Sequence, residues 1–309
     1  MVIYYGYENL KLVRPVVTLG IFDGVHKGHR ALLDYVVLRA KETKGDSVVI
    51  TLSPHPRLVL TEANEEIAYL TTLEEKIKLL GETDINHLVI IEFTSEFSSM
   101  SACDFVQNVL VEKLSTNHLI IGYDHHFGRH AEGNYDTIKQ CAESLDLKVE
   151  NIEGISSVSG IISSTAIREA LLGGRLEEAN NSLGYDYSLK GIIVEGRRLG
   201  RSIGFPTANV KPVDEHKLIP CNGVYAVMVQ LDGNWYPGVL SIGFNPTVNK
   251  RIKSRTIEVH VFDFEKEIYG AEITVAFRYR LRDEARFETI EQLVHQMELD
   301  RQQAMRLLS

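Results

Sequence analysis

The sequence predicts two different folds in succession: an α/β domain with a parallel sheet, then an antiparallel β domain that ends in a helix. Up to residue 183, short runs of β-branched residues alternate with segments of helical periodicity, which is typical of a parallel sheet covered by helices. After Leu183-Gly184, strand-like segments follow one another with no helical pattern between them. We therefore expect a first domain at residues 1–184 and a second at residues 185–309.

Five apolar runs of the first domain predict the strands of its sheet, at residues 16–19, 48–52, 88–91, 119–122 and 147–152. Between them, one helix is predicted to open at Ser101, with Asp104 three residues later as in a capping box. Another is predicted over residues 134–145, and a third from Ser163 to the stop signal Gly173-Gly174. Because ligands of such sheets bind outside the carboxyl ends of the strands, we look for a site there.

The second domain carries strand-like segments at residues 187–194, 224–231, 235–242, 256–264 and 272–281. Turn residues separate several of them, as at 231–234 and 269–270. This pattern predicts an antiparallel barrel or a sandwich. An amphipathic helix follows, with Thr289 and Gln292 as a possible capping box at its start.

The composition is that of an ordinary soluble globular protein, with 44% hydrophobic and 24% charged residues among 309. A net charge of −9 argues against a non-specific nucleic-acid coat, which needs a basic surface. The start of the chain lacks the features of a signal peptide, and no window approaches a membrane span. The three cysteines form no CxxC pair, so we expect neither a zinc framework nor a disulfide scaffold, and we expect a cytoplasmic protein.

The strongest candidate site is the segment at residues 20–29, which we call the glycine–histidine turn. It follows a predicted strand, precedes a predicted helix and contains three glycines and two histidines, His26 and His29. The N-terminus of a helix attracts phosphate oxygens, and glycine lets the backbone approach a ligand closely. Histidines three apart are neighbours on a helix and can stabilise charge that develops during phosphoryl or nucleotidyl transfer.

Known phosphate-loop patterns do not match the glycine–histidine turn. It is neither a Walker A loop nor a Gly-x-Gly-x-x-Gly fingerprint. An isolated His-x-x-His pair is more often two ordinary surface histidines, but the glycines and the strand-to-helix position favour a site here. A phosphate loop with histidines in place of lysine suits attack at an α-phosphate, with pyrophosphate leaving.

Three further segments of the first domain also lie at predicted strand ends or helix starts. Arg168 follows Ser164 by four residues, so both lie on one helix face and add a planar cation to an anion site, although hydroxyl residues also cap helices routinely. His55 stands between two prolines, which suits either a contact residue or a structural loop. Asp124 ends a strand and is a candidate for a ribose or base contact; the histidines after it match no metal motif.

In the second domain, residues 196–209 form a basic, glycine-rich loop, where an acidic protein would bind phosphate. Thr207 and Asn209 alternate with an alanine and can offer oxygens to Mg²⁺, a hard cation. Glu258 lies on a predicted strand, on the face opposite Ile257 and Val259. Such a glutamate is normally just solvent-facing, but if it faces the Thr207 loop it can serve as a general base.

These motifs together resemble the bacterial bifunctional riboflavin kinase/FAD synthetase family, over essentially the whole chain. The stretches that carry the resemblance are Gly20-x-Phe22-Asp23-Gly24-Val25-His26-x-Gly28-His29, Ser163-Ser164-Thr165-x-Ile167-Arg168, Gly200-Arg201-x-x-Gly204-Phe205-Pro206-Thr207-Ala208-Asn209, Glu258-Val259-His260 and Leu281-Arg282-x-Glu284-x-x-Phe287. The resemblance implies a Rossmann-like nucleotidyltransferase domain and a riboflavin kinase β-barrel.

The resemblance also implies two ATP-dependent reactions on small molecules, without a nucleic-acid or membrane partner. The barrel would phosphorylate riboflavin to FMN, with Thr207 and Asn209 holding Mg²⁺ and Glu258 as base. The first domain would let the FMN phosphate attack the α-phosphate of ATP, giving FAD and pyrophosphate, with His26, His29 and Arg168 as catalytic groups. The implied nucleotide and flavin contacts are Gly20, Phe22, Asp23, Gly24, His55, Asp124, Ser163, Ser164, Thr165, Gly200, Arg201, Gly204 and Pro206.

Two other hypotheses remain open at this point. In the first, one domain has lost turnover and only binds nucleotide or flavin; in the second, the chain is a flavin-binding regulator without catalysis. A regulator would be expected to lack Glu258 or the His26/His29 pair, and the sequence retains both. The bifunctional enzyme is therefore favoured.

Overall fold

A computed structural model describes residues 1–60, 68–122, 133–152, 156–157, 160–195, 204–244, 255–264 and 268–309. Its contacts divide the chain into two compact units, Met1–Ser164 and Thr165–Ser309. Each unit is described by itself below.

The first unit is built on a six-stranded sheet in the order β1-β4-β3-β2-β5-β6, and every neighbouring pair is parallel. Its strands are β1 Val2–Tyr5, β2 Val16–Leu19, β3 Ser47–Ser53, β4 His87–Glu92, β5 His118–Gly122 and β6 Lys148–Ile152, and a separate two-stranded sheet pairs β7 Ser156–Ser157 with β8 Gly160–Ile161. The predicted parallel sheet is confirmed. The edge strand β1 is mostly exposed and was not predicted.

The described helices of this unit are α1 Lys27–Thr43, α2 Pro56–Leu60, α3 Leu73–Gly81, α4 Ser95–Ser98, α5 Ala102–Asp104, the π-helix Phe105–Lys113 and α6 Tyr135–Ala142. Two apolar clusters form the core on the two faces of the sheet, and the four residues of β2 are buried in full. Because β2 lies between β3 and β5 in the interior of the sheet, its carboxyl end is enclosed by neighbouring strands.

The predicted helix that opens at Ser101 is present, and the Ser101 hydroxyl accepts the Asp104 N–H at 3.1 Å. Only its first turn is α-helical, however. The Leu114 N–H bonds to the Val109 carbonyl, five residues back, as in a π-helix. The helix predicted over residues 134–145 is confirmed, with Asn134 as its N-cap.

Two of the three cysteines form a disulfide, which their spacing in the sequence did not predict. Cys103 in α5 and Cys141 in α6 are bonded to each other, with their Cα atoms 5.3 Å apart. The two helices pack side by side, which brings together residues separated by 38 positions in the chain. Sequence spacing does not show this kind of proximity. Cys221 is a free thiol.

The second unit is a closed six-stranded antiparallel barrel in the order β10-β13-β12-β11-β14-β9, so a barrel rather than a sandwich is formed. Its elements are α7 Ser164–Leu172, which begins at the last residue of the first unit, α8 Leu176–Leu183, β9 Ser188–Val194, β10 Ala208–Pro212, β11 Gly223–Leu231, β12 Asn234–Phe244, β13 Arg255–Val261, β14 Glu272–Arg282 and α9 Ile290–Leu308. The final helix is confirmed, and its N-cap Thr289 accepts the Gln292 N–H at 3.3 Å. Strand β10 was not predicted, because its residues were interpreted as the end of a loop.

Candidate active sites

The glycine–histidine turn connects the carboxyl end of β2 to the N-terminus of α1. Three of its residues have positive φ: Gly24 at 85°, Phe22 at 51° and Val25 at 36°. Glycine adopts such angles freely, whereas a β-branched valine does so only under strain. Phe22 and Val25 are 2% and 0% exposed, so core packing holds the backbone in this shape. Strained backbone of this kind is often found at functional sites.

His26 caps helix α1 with its own ring. Its Nδ1 accepts the His29 N–H at 3.2 Å, and the two imidazoles stack with centroids 3.6 Å apart. A ring that accepts at Nδ1 carries its proton on Nε2, so His26 is set up as a donor through Nε2. His26 is 5% exposed, and a Cβ added at Gly28 would lie 3.1 Å from its ring. Gly28 therefore leaves room for the His26 ring.

The Asp23 side chain points into the protein. Its carboxylate accepts the Leu70 N–H at 2.8 Å and the Thr71 N–H at 3.0 Å, and Asp23 is 3% exposed. The Thr71 hydroxyl in turn accepts the Gly24 N–H at 3.0 Å. Asp23 thus ties the turn to the segment that leads into α3. The contribution of this side chain to the site is the shape of the turn.

The start of α7 lies against the same turn. The Ser164 hydroxyl donates to the Asp23 carbonyl at 2.8 Å, and a Cβ at Gly28 would lie 3.4 Å from the Ile162 carbonyl oxygen. The structure therefore joins two predicted motifs, residues 20–29 and the Ser163-Ser164 helix start. Thr165 and Arg168 lie further along α7, in the second unit.

Phe22, Gly20 and His55 are further predicted residues of this site, and the structure describes their contacts. Phe22 packs edge-on against the His29 ring at 5.1 Å, and a Cβ at Gly20 would lie 3.1 Å from the Phe22 ring. His55 Nδ1 accepts the Arg57 N–H at 3.2 Å, and its ring stacks on Tyr69 at 6.3 Å. Asp124 lies outside the described residues, as do Gly200 and Arg201 of the second domain.

In the barrel, the structure brings Glu258 to the Thr207 loop. The Thr207 hydroxyl donates to Glu258 Oε2 at 3.3 Å, and the register of β10 with β13 pairs Asn209 with Glu258. Ile257 and Val259 are buried on the other face of β13, as predicted. The sequence predicts that Glu258 can act as a base only if it faces the Thr207 loop, and here it does face that loop.

The chain before Thr207 is held by His260. Its ring lies 2.8 Å, through Nδ1, from the Pro206 carbonyl and 5.5 Å from the Phe205 ring. Burial lowers the pKa of His260, against the opposing effect of the Pro206 hydrogen bond. Gly204 is exposed with φ +84° and turns the chain into this segment. The Pro206 carbonyl is therefore occupied by the His260 ring, in the residue just before Thr207.

Thr207 and Glu258 line a cavity of about 300 Å³, which we call the barrel pocket. Its wall combines polar groups on the strands with apolar groups from α9 and the segment before it: Thr207, Val224, Val239, Ser241, Glu258, His260, Arg282, Glu284, Ala285, Phe287, Leu293, Met297 and Asp300. A mixed wall of this size is typical of a pocket for a small organic ligand with polar groups.

Sequence reasoning missed Asp300, a buried carboxylate of α9 in this wall. Asp300 is 3% exposed and accepts three hydrogen bonds from Arg282, at 2.7 to 3.1 Å, and one from Gln296 at 2.9 Å. Arg282 also lies over the Phe287 ring. The sequence did contain a signal for this residue: an aspartate stands within the apolar periodicity of the last helix. Such an aspartate is seldom buried without a partner, and the Leu281-Arg282 run offers an arginine.

The oxygen donors at this site fit a hard divalent cation. Thr207, Asn209 and Glu258 offer a hydroxyl, an amide oxygen and a carboxylate, which are ligand types that Mg²⁺ accepts. Among the residues that the structure describes, no group of three or more His, Cys, Asp or Glu side chains is arranged to hold a metal.

No described helix is long and apolar enough to cross a membrane.

Two family models match the chain in succession. The model for FAD synthetase matches residues 10–166, and the model for riboflavin kinase matches residues 183–308. One solved structure, a crystal structure titled macrolide-efflux protein from Streptococcus pneumoniae, superposes with a TM-score of 0.87 at 28% identity and covers 98% of both chains.

Curated relatives named bifunctional riboflavin kinase/FMN adenylyltransferase extend over nearly the full chain. The protein of Listeria monocytogenes is 39% identical over 94% of this chain and 91% of its own. That of Bacillus subtilis is 37% identical over 96% and 93%, and that of Escherichia coli K12 is 35% identical over 92% and 90%. With both family models and these relatives in agreement, the chain belongs to the family of bifunctional riboflavin kinases/FMN adenylyltransferases and is a transferase.

Proposed function

We propose that the chain converts riboflavin to FMN in its barrel and FMN to FAD at its glycine–histidine turn, with ATP as co-substrate in both steps. Family membership supports the pair of reactions, and the site geometry supports the assignment of residues. We place the domain boundary between residues 184 and 185; the riboflavin kinase model begins at residue 183. We place the enzyme in the cytoplasm, where its substrate ATP is made and used.

In the barrel, Glu258 takes the proton from the ribityl 5′-hydroxyl of riboflavin as that oxygen attacks the γ-phosphate of ATP, and ADP leaves. Thr207 and Asn209 hold Mg²⁺, which when bound offsets the charge of the phosphates. The predicted phosphate contacts Gly200, Arg201, Gly204 and Pro206 belong to the loop before Thr207. The observation that carries this assignment is the 3.3 Å contact between Thr207 Oγ1 and Glu258 Oε2, at the wall of the barrel pocket.

At the glycine–histidine turn, an oxygen of the FMN phosphate attacks the α-phosphate of ATP, and pyrophosphate leaves. His26 donates through Nε2, and His29, which stacks on it, stabilises the charge that builds on the phosphate oxygens. The N-terminus of α1 adds backbone N–H groups that have no partner within the helix. The phosphates are also bound and stabilised by four residues at the start of α7 or just before it: Ser163, Ser164, Thr165 and Arg168.

The other predicted contacts of the adenylyl transfer serve in two ways. Gly20, Phe22, Asp23 and Gly24 shape the backbone of the turn, as the buried Asp23 carboxylate already indicates. His55 and Asp124 follow the ends of strands β3 and β5, which flank β2 in the sheet, and we assign them supporting contacts to the nucleotide or the flavin.

A single assay tests both halves of the proposal. The purified full-length protein is incubated with riboflavin, ATP and Mg²⁺, and the flavins are separated by chromatography. We expect FMN first and FAD after it. FMN without FAD would refute the adenylyltransferase assignment and favour a single-activity enzyme; neither product would favour a flavin-binding regulator.

Glu258→Gln tests the division of labour between the sites. We expect riboflavin phosphorylation to fall by about 10²- to 10⁴-fold, because a general base is lost while the shape is kept. Conversion of supplied FMN to FAD should be unchanged. Glu272→Gln, at an exposed glutamate of the same barrel, is the matched control. If both steps fell equally in a folded Glu258→Gln variant, the assignment would be wrong.

A further inference from the structure

Beside the glycine–histidine turn lies a buried cation, Lys76, that no motif of the sequence singles out. Lys76 belongs to α3 and is 5% exposed. Its Nζ donates to the Thr51 hydroxyl at 3.4 Å, and that hydroxyl donates to the Ile21 carbonyl at 3.2 Å. One threonine of β3 therefore connects the ammonium to the backbone of the turn.

A second connection runs between the turn and the residues just before α3. Asp23 accepts the backbone N–H groups of Leu70 and Thr71, and the Thr71 hydroxyl accepts the Gly24 N–H. A capping box at Thr72 and Glu75 then starts α3. Helix α3 and the residues just before it therefore connect to the turn at two points, one at the Asp23 carboxylate and one at the Lys76 ammonium.

The two buried charges act on each other. Burial lowers the pKa of Lys76 to about 8, and the Asp23 carboxylate opposes that shift by favouring the charged ammonium. Isolated charges in a protein interior are unfavourable, and a pair of opposite sign reduces the penalty. A lone Asp23 carboxylate would also repel the phosphates of a nucleotide bound at the turn, because charges interact strongly where water is excluded.

We propose that Lys76 is a positioning residue for the adenylyl transfer, which compensates the Asp23 charge and holds the backbone of residues 20–24 in its nucleotide-binding shape. The inference rests on the proposed function of the glycine–histidine turn. It assigns Lys76 no contact with substrate. Its action is through Asp23, Thr51 and the carbonyl of Ile21.

The first test compares Lys76→Met with Lys78→Met, the same substitution at an exposed lysine of the same helix. In the full-length protein, Lys76→Met should lower kcat/KM for ATP in FAD formation at least tenfold, chiefly through a higher KM. FMN formation by the same preparation should be unchanged, and Lys78→Met should match the wild type in both steps. Wild-type FAD formation by Lys76→Met would overturn the proposal.

A second variant separates charge compensation from simple loss of packing. In Asp23→Asn/Lys76→Met, both buried charges are gone, so FAD formation should recover at least threefold over Lys76→Met alone. If the double variant is as slow as Lys76→Met or slower, Lys76 does not act by compensating Asp23, and the proposal fails. Activities are compared per folded protein, with the folded fraction of each variant measured by circular dichroism, because removal of the unpaired Asp23 charge also stabilises the fold.

The pH dependence gives a third readout that a structural role would not move. The charged group of the turn that acts on Lys76 is Asp23, and β3 contributes the uncharged Thr51 hydroxyl. As pH rises through about 8, Lys76 loses its charge, so wild-type FAD formation should decline relative to Lys76→Arg, which stays charged. Identical profiles for the two proteins would contradict the proposal.

His29→Ala distinguishes the inference from the function on which it rests. If His29→Ala retains FAD formation, the proposed site itself is wrong. If His29→Ala is impaired while Lys76→Met is not, the site stands and only the role of Lys76 is refuted.

Discussion

In the first unit the candidate site is a stretch of backbone, whereas in the second it is a set of side chains that converge from several strands and a helix. The glycine–histidine turn is mostly buried, and Asp23 and His26 bond to the protein's own N–H groups. In the barrel, Thr207, Glu258 and Arg282 come from three separate parts of the chain and line one pocket. The first site therefore depends on local conformation, and the second on the closure of the barrel.

This difference predicts that the two sites tolerate different kinds of substitution. A continuous turn is sensitive to any substitution that alters its backbone. A Cβ at Gly28 would crowd the His26 ring, and Gly24 has a positive φ. The barrel pocket is instead sensitive to changes that move one element against another, above all α9, which supplies Leu293, Met297 and Asp300. Substitutions can therefore be chosen that separate the two activities.

After Glu258→Gln, the largest effect that the comparison predicts is at His29. His29→Ala removes the donor that we propose for the transferred phosphate, so FAD formation from FMN should fall by about 100- to 1,000-fold. Riboflavin phosphorylation should be unaffected, and flavin chromatography with each substrate in turn measures both. His295→Ala, at an exposed histidine of α9, is the control. A parallel loss of both activities would show that the sites are not independent.

The next effect is expected at Asp300. Asp300→Asn removes the negative charge that holds Arg282, so the unit should lose about 2 kcal/mol of unfolding free energy, a value reduced because Arg282 is partly exposed. FMN formation should slow by about tenfold for each 1.4 kcal/mol of lost transition-state binding, while FAD formation from supplied FMN is kept. Denaturant unfolding and the two assays check this.

Asp263→Asn provides the matched control for Asp300. Its carboxylate faces Arg301 at 3.8 Å and its side chain is 80% exposed, so its removal should change stability by less than about 0.5 kcal/mol. Equal effects of the two substitutions would mean that the Arg282–Asp300 pair has no special place in the pocket wall.

The smallest effect should come from the helix caps. Thr289→Ala removes the N-cap of α9 and Thr72→Ala that of α3, each at a cost of about 1 kcal/mol of stability. Because α9 lines the barrel pocket and α3 supports the glycine–histidine turn, Thr289→Ala should weaken FMN formation first on heating, and Thr72→Ala FAD formation. Activity measured against temperature would show the order, and the reverse order would contradict the comparison.

Much of the fold could be predicted because it rests on local patterns. The structure confirms the β-branched runs 16–19 and 48–52, the caps at Ser101 and Thr289, the helix predicted over residues 134–145, and the alternation of Ile257 and Val259 with Glu258. Strand β10 was missed because its glycine-rich flank indicates a loop. The residue roles at both sites, and the boundary after residue 184, stay predictions.

The sequence by itself determined the order of the two folds, the motifs of both reactions and the family, because periodicity and motif spacing are properties of neighbouring residues. Only the tertiary structure decided that Thr207 meets Glu258, that Ser164 meets Asp23, and that Cys103 meets Cys141. It also decided that Asp23 faces inward and that Lys76 is buried near it. The physical reason is that such contacts join residues that are distant in the chain, and packing of whole strands and helices brings them together.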